Sequence, residues 1–150
     1  MLKRLYSYND TLGSVGLLVL RLVVGGAFVL HGLPKIQQPF NWMGDAFPGF
    51  LQALAAIAEF GGGLALILGL LTPIAMLGLI CTMVVAVFTH VTRGDPWVGQ
   101  GGSFELPALY LIIALTIALL GPGRFSLDAL LLNKASGSSS FSRLVRQSQE

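Results

Sequence analysis

Four apolar stretches of nearly membrane-spanning length dominate the chain, at residues 15–33, 51–71, 74–91 and 106–120. A bilayer core of ~30 Å is crossed by about 20 residues of helix. Inside a bilayer the backbone must satisfy its own hydrogen bonds, so each stretch is expected to be helical. Ionisable side chains within such helices are expensive and need a reason. Only Arg21, His31, Glu59, His90 and Glu105 lie in or at the ends of these stretches.

Composition supports the membrane reading. Of 150 residues, 54% are hydrophobic and 11% are charged, where a soluble domain carries about a quarter. Mean hydropathy is +0.77. The expectation is one membrane domain over residues 1–134 and a flexible, basic cytoplasmic tail over 135–150. A net charge of +2, with no basic run interleaved with aromatics, argues against nucleic acid. No glycine-rich phosphate loop is present. Cys81 is alone, so no intramolecular disulfide forms, and it is expected to pack as a small apolar residue. Arg21 interrupts the first apolar run and no small-residue cleavage site follows. That run is therefore expected to be retained rather than removed as a signal peptide.

Loop parity gives an orientation. One side would carry Lys3, Arg4, Arg124, Lys134, Arg143 and Arg146, the other only Lys35 and Arg93. The positive-inside rule then puts both termini in the cytoplasm. Trp42 and Trp97, in the opposite loops, suit the headgroup layer. Thr72-Pro73 reads as a helix cap followed by proline in the first turn. Gly121-Pro122-Gly123 stops the fourth helix. Ser126-Leu127-Asp128 starts a short interfacial helix. Gly61, Ala65 and Gly69 form a small-residue row, and Gly25 and Gly32 thin the first helix for close packing.

These ordered marks resemble the DoxX family of small bacterial membrane proteins. The matching stretches run from Arg21 through His31-Gly-Leu-Pro-Lys35, from Glu59-Phe-Gly-Gly-Gly to Thr72-Pro73, then Gly101-Gly-Ser-Phe-Glu105, and Gly121-Pro-Gly-Arg-Phe-Ser-Leu-Asp128. The resemblance implies an all-α, four-helix bundle in the inner membrane. It also implies an oxidoreductase-like association, since some relatives accompany quinone-linked thiosulfate oxidation. Family fold is a firmer guide than family function.

Two polar sets follow from helix geometry at ~1.5 Å per residue. Arg21 and Glu59 are expected within several ångströms in depth, as a buried bidentate ion pair. Nearer the other face, His31, Lys35, Gln52, His90 and Glu105 are expected at similar depth on four helices. Such a cluster suits a quinone head group or another small polar ligand, with histidine exchanging protons. No local metal-binding signature is present, and Met76 and Met83 are expected to pack. No flavin, iron–sulfur or covalent-haem motif occurs.

The favoured function is therefore a quinone-interacting or redox-associated membrane subunit that acts with a partner. The alternative is a non-enzymatic scaffold, assembly factor or permeation element for protons or small solutes. The partners expected are the bilayer, a redox protein and further copies of the chain in a homo-oligomer.

Overall fold

Apolar runs that close their own hydrogen bonds become helices, and four do so here. The computed structural model describes residues 10–132 and contains α1 (Asp10–Gln37), α2 (Gly49–Leu68), α3 (Thr72–Thr92) and α4 (Glu105–Leu120). A 3₁₀ turn, Gly44–Ala46, lies between α1 and α2. Residues 127–132 are again helical, and no strand occurs among the described residues. The expected all-α membrane bundle is what forms. The tail over 135–150, together with Lys3 and Arg4, lies outside the described residues.

The helices are unequal. α1, α2 and α3 have 28, 20 and 21 residues and are long and apolar enough to cross a membrane. α4 has 16 residues, or ~24 Å, short of a ~30 Å core. The loop before α4 folds back over its start. Phe104 N–H donates to the Pro96 carbonyl at 3.3 Å and Glu105 N–H to the Trp97 carbonyl at 3.1 Å. The Trp97 and Phe104 rings meet edge-on, with centroids 5.1 Å apart. Ser103 does not cap α4, whose first turn has no side-chain cap.

Small residues set the α1–α2 contact. A Cβ on Gly25 would lie 2.7 Å from Ile67 Cγ1 and 2.9 Å from the Gly63 carbonyl oxygen. One on Gly63 would meet Val29 N at 2.8 Å, and one on Gly32 would strike the Phe60 backbone. The two backbones therefore nearly touch, which is how membrane helices gain dispersion energy that lipid cannot offer. Gly25 and Gly32 act as expected. The row of Gly61, Ala65 and Gly69 does not: Gly61 faces open space, with only Ile57 of its own helix at 4.0 Å. The bundle interior is filled by Phe28 of α1, Leu66 of α2, Met76, Leu79 and Met83 of α3, and Ala114 and Ile117 of α4.

Arg21 organises one end of this bundle. It is 1% exposed and forms no salt bridge with a carboxylate among the described residues. Its Nε donates to the Leu66 carbonyl at 2.9 Å and its Nη2 to the Ile67 carbonyl at 2.9 Å. Its Nη1 donates to the Pro122 and Phe125 carbonyls at 2.7 and 2.9 Å. The last carbonyls of α2 have no partner within their own helix, and the turn after α4 has none either. One planar guanidinium serves both. Gly69, with φ +63°, makes room for it: a Cβ there would lie 2.7 Å from Arg21 Nη2.

Asp128 completes this end. Its carboxylate accepts from the Leu71 and Thr72 N–H groups, each at 2.9 Å, and so caps α3. The Asp128 N–H in turn donates to the Gly69 carbonyl at 2.9 Å. The cap expected from Thr72 is thus supplied by a residue 56 positions later, while Pro73 sits in the first turn as expected. Burial opposes charge on Asp128, but the two N–H bonds and the Arg21 charge outweigh it and hold the carboxyl below its ordinary range. Ser126 caps residues 127–132 by accepting from the Ala129 N–H at 3.2 Å. Ser14 of α1 accepts from the Arg124 N–H at 3.2 Å.

Lysine cannot replace this fork, because an ammonium on a flexible stem does not reach carbonyls on two separate segments at once. Arg21→Lys is therefore expected to destabilise nearly as much as Arg21→Ala, by about 3 kcal/mol or more, since buried carbonyls are left unpaired. Thermal unfolding in detergent micelles checks this. A wild-type midpoint for Arg21→Lys would contradict the assignment.

Candidate functional site: a groove between α2 and α3

The buried carboxylate of α2 has a different partner from the one its depth suggested. Glu59 is met by Lys35, whose Nζ lies 2.6 Å from both Oε1 and Oε2. The Glu59 side chain is 3% exposed and that of Lys35 23%. The expected Arg21–Glu59 pair is not formed, for two reasons. Arg21 lies level with Leu66 and Ile67, about two turns from Glu59 along α2. Lys35, at the last turn of α1, leans toward the start of its helix as helical side chains do. The close approach at Gly32 and Phe60 brings it within reach. Lys35 Nζ also sits 4.4 Å from the centre of the Trp42 ring, a favourable site for a cation.

This pair stands at the mouth of a cavity of about 770 Å³ along the faces of α2 and α3. Lys35, Glu59, Trp42, Gln52, His90 and Arg93 make its polar end. From there the cavity runs over Ala58, Gly61 and Ala65 of α2, and Ala86, Gly78 and Ile74 of α3. Its size falls within the ~300–1,000 Å³ of small-molecule sites. It exists because the facing residues are small. Gly78 approaches Ala58 closely, with a Cβ placed there 3.3 Å from the Ala58 Cβ, and both residues line the groove.

The polar end is held in order by its own bonds. Gln52 is 2% exposed. Its Oε1 accepts from the Met43 N–H at 2.7 Å, and its Nε2 donates to the Gly44 and Phe47 carbonyls, each at 2.7 Å. Its backbone carbonyl accepts from Trp42 Nε1 at 2.9 Å. Gln52 therefore straps the 38–48 loop over the groove mouth and has little capacity left for a ligand. His90 differs. Its Nδ1 lies 2.7 Å from Asp95 Oδ2, a partner the sequence reading did not single out. A neutral ring that donates Nδ1–H to Asp95 presents Nε2 as an acceptor.

The five residues expected to converge divide into two groups. Lys35, Gln52 and His90 line the groove and are joined by Glu59. His31 and Glu105 do not line it. His31 is exposed on the other side of α1, where its ring stands edge-on to Tyr110 of α4 at 6.2 Å. Glu105 opens α4 and is not among the residues lining the groove. Depth follows from residue counting, but position around the bundle depends on helix rotation, which the polar residues alone do not reveal. Cys81 is likewise exposed and lines the groove rather than packing inside. Met76 and Met83 pack in the core as expected.

An apolar helical bundle with a lipid-facing groove and a buried ion pair at its mouth is the build of a small multi-pass membrane protein. The chain belongs to the DoxX family, whose model matches residues 16–92. That span covers most of α1 and the whole of α2 and α3, the two helices that form the groove. The chain is 34% identical over 132 residues to the inner membrane protein YqjF of Escherichia coli, covering 82% of this chain and 97% of that protein. It is 31% identical over 121 residues to a Bacillus subtilis protein named "Putative oxidoreductase CatD", covering 77% and 86%. It is 30% identical over 139 residues to the membrane protein Rv3486 of Mycobacterium tuberculosis, covering 82% and 85%. No solved structure matches the chain. Together with the apolar helices, these similarities make it a multi-pass protein of the bacterial inner membrane.

The Lys35–Glu59 pair gives a direct test. Lys35→Met alone strands a buried carboxylate and is expected to cost about 3 kcal/mol. Lys35→Met combined with Glu59→Gln is expected to recover most of that loss. A double-mutant cycle of thermal stability in detergent measures the coupling. Additive losses would show that the two side chains do not depend on each other.

Proposed function

We propose that this protein binds a quinone in the α2–α3 groove and serves as a quinone-interacting subunit for a redox partner. The observation that carries the reading is the groove itself, which joins a charged, hydrogen-bonding mouth to a long apolar trough open to lipid. A membrane quinone has that shape, a compact ring with two carbonyls on an apolar tail. At the mouth, Lys35 and Arg93 supply donors for a carbonyl. His90 Nε2 can take a proton from a quinol hydroxyl while Asp95 steadies the ring through Nδ1. The electrons would pass to the partner, because the chain has no redox motif of its own. The name of the Bacillus subtilis relative agrees with this direction. The charge bias of the sequence supports an orientation with the Arg21 end in the cytoplasm and the groove mouth at the outer face.

Trp42 is a built-in reporter, since it lines the mouth and quinones quench indole fluorescence. In lipid nanodiscs, decylubiquinone is expected to quench Trp42 saturably. Trp97→Phe should keep that signal and Trp42→Phe should lose it. His90→Ala should weaken binding roughly tenfold, the loss of a single ~1.4 kcal/mol contact, with an unchanged unfolding midpoint. Quenching that never saturates, or that persists in Trp42→Phe, would reject a quinone site and favour the scaffold reading.

A further inference from the structure

α3 ends in a turn that sets a carboxylate beside His90. Gly94, with φ +76°, turns left-handed just past the helix. Its N–H donates to the Val91 carbonyl at 3.0 Å, and the Asp95 N–H donates to the His90 carbonyl at 3.1 Å. This bond pattern brings the side chains of its first and last residues together, commonly as an apolar contact. Here they are histidine and aspartate, and Nδ1 lies 2.7 Å from Oδ2. The loop then folds back through the Phe104–Pro96 and Glu105–Trp97 backbone bonds, and Gly102 returns to Asp95. A Cβ on Gly102 would lie 3.0 Å from Asp95 Cγ, Oδ1 and Oδ2 alike. Equal distances to the three atoms put it over the flat face of the carboxylate. The carboxylate thus has the His90 ring at its edge and a bare Cα at its face, and a side chain on residue 102 displaces it.

An ionised carboxylate only accepts, so a neutral His90 keeps its proton on Nδ1 and presents the Nε2 lone pair. Nε2 has no protein partner among the described residues, and His90 lines the groove mouth with Arg93. A quinol suits both groups. Its O–H donates to Nε2, and its oxygens accept from the guanidinium. A quinone has acceptors alone, and a carbonyl aimed at Nε2 sets two lone pairs against each other. We infer that Gly102 is a positioning residue, which seats Asp95 so that His90 is held as the Nδ1–H tautomer, and that the mouth therefore favours a quinol over the corresponding quinone. This rests on the quinone reading above and adds which redox form binds and what fixes the choice. The role belongs to glycine because any Cβ would occupy the space of the carboxylate. Gly102 acts through Asp95 and does not itself line the groove.

The first measurement needs no quinone. The chain has two histidines, so isotope-labelled histidine gives two rings by NMR in nanodiscs, and His31→Asn identifies the signals of His90. At alkaline pH, with neutral rings, wild-type His90 is expected to carry its proton on Nδ1. Gly102→Val and Asp95→Ala should release the ring to the Nε2–H form that an unrestrained imidazole prefers, with Gly102→Ala giving a mixture. Gln100→Ala, exposed in the same loop, should keep the wild-type pattern. The second measurement titrates decylubiquinol, kept reduced without oxygen, against bound decylubiquinone and follows the recovery of Trp42 fluorescence. The wild type is expected to hold the quinol roughly tenfold tighter, the worth of a single ~1.4 kcal/mol contact. Gly102→Val should lose that margin while its affinity for the quinone is kept. Equal loss of both affinities would show a merely structural role and overturn the assignment. A wild-type ring protonated on Nε2, or a wild-type tautomer in Gly102→Val, overturns the positioning role whatever the ligand. Should Gly102→Val fail to fold, Gly102→Ala decides in the same way. Saturable binding with equal affinity for the two forms overturns the quinol preference while the quinone reading stands. Wild-type binding that never saturates overturns that reading, and the preference with it.

Discussion

The fold depends on one guanidinium. Arg21 sits inside the bundle at the end where α2 stops and the chain leaves α4. It donates to four carbonyls on those two segments. A buried arginine would be intolerable without such partners. The carbonyls at a helix end would be nearly as costly without a donor. Each solves the problem of the other. Around this point, Gly69 turns left-handed, Asp128 caps α3, and Ser14 holds the chain beyond α4. The α2–α3 turn, the chain beyond α4 and the middle of α1 are thereby fixed at one end. The opposite end carries the mouth of the α2–α3 groove.

That division explains the two kinds of small residue. Gly25, Gly32 and Gly63 close the α1–α2 interface to backbone contact, which brings Lys35 to Glu59. Gly61 and Ala65 lie on the other side of α2, where no helix among the described residues fills the space and the groove opens. The same residue type thus builds a tight contact on one face and a vacancy on the other. The buried ion pair belongs to both, since it ties α1 to α2 and gives the groove its charged mouth.

Much of this was legible in the sequence. Hydropathy located all four helices, because apolar runs of such length have few other stable forms. Pro73, Gly121 and Ser126 marked boundaries correctly, since they act through local backbone chemistry. Arg21 and Glu59 stood out as costly residues, but their partners did not follow. Depth counting treated both as mid-membrane. α1 extends well beyond its apolar stretch, from Asp10 to Gln37, which brings Arg21 level with the α2 terminus and Lys35 within reach of Glu59. His31 and Glu105 were grouped with His90 by depth alone, and helix rotation separated them. The role of Asp128 was hidden by sequence distance: no local pattern tells that a residue after α4 caps α3.

The central claim is that the lipid-facing groove between α2 and α3 holds a quinone. Photo-crosslinking tests it without relying on affinity or activity. A ubiquinone analogue with a diazirine on its tail is irradiated with the protein in nanodiscs, and the adducts are mapped by mass spectrometry. The account predicts adducts concentrated on groove residues such as Leu54, Ala58, Cys81 and Val85, and suppressed by excess unlabelled quinone. Adducts spread over the lipid-exposed faces of α1 and α4, at Val19, Val23 or Leu119, with no competition, would contradict it.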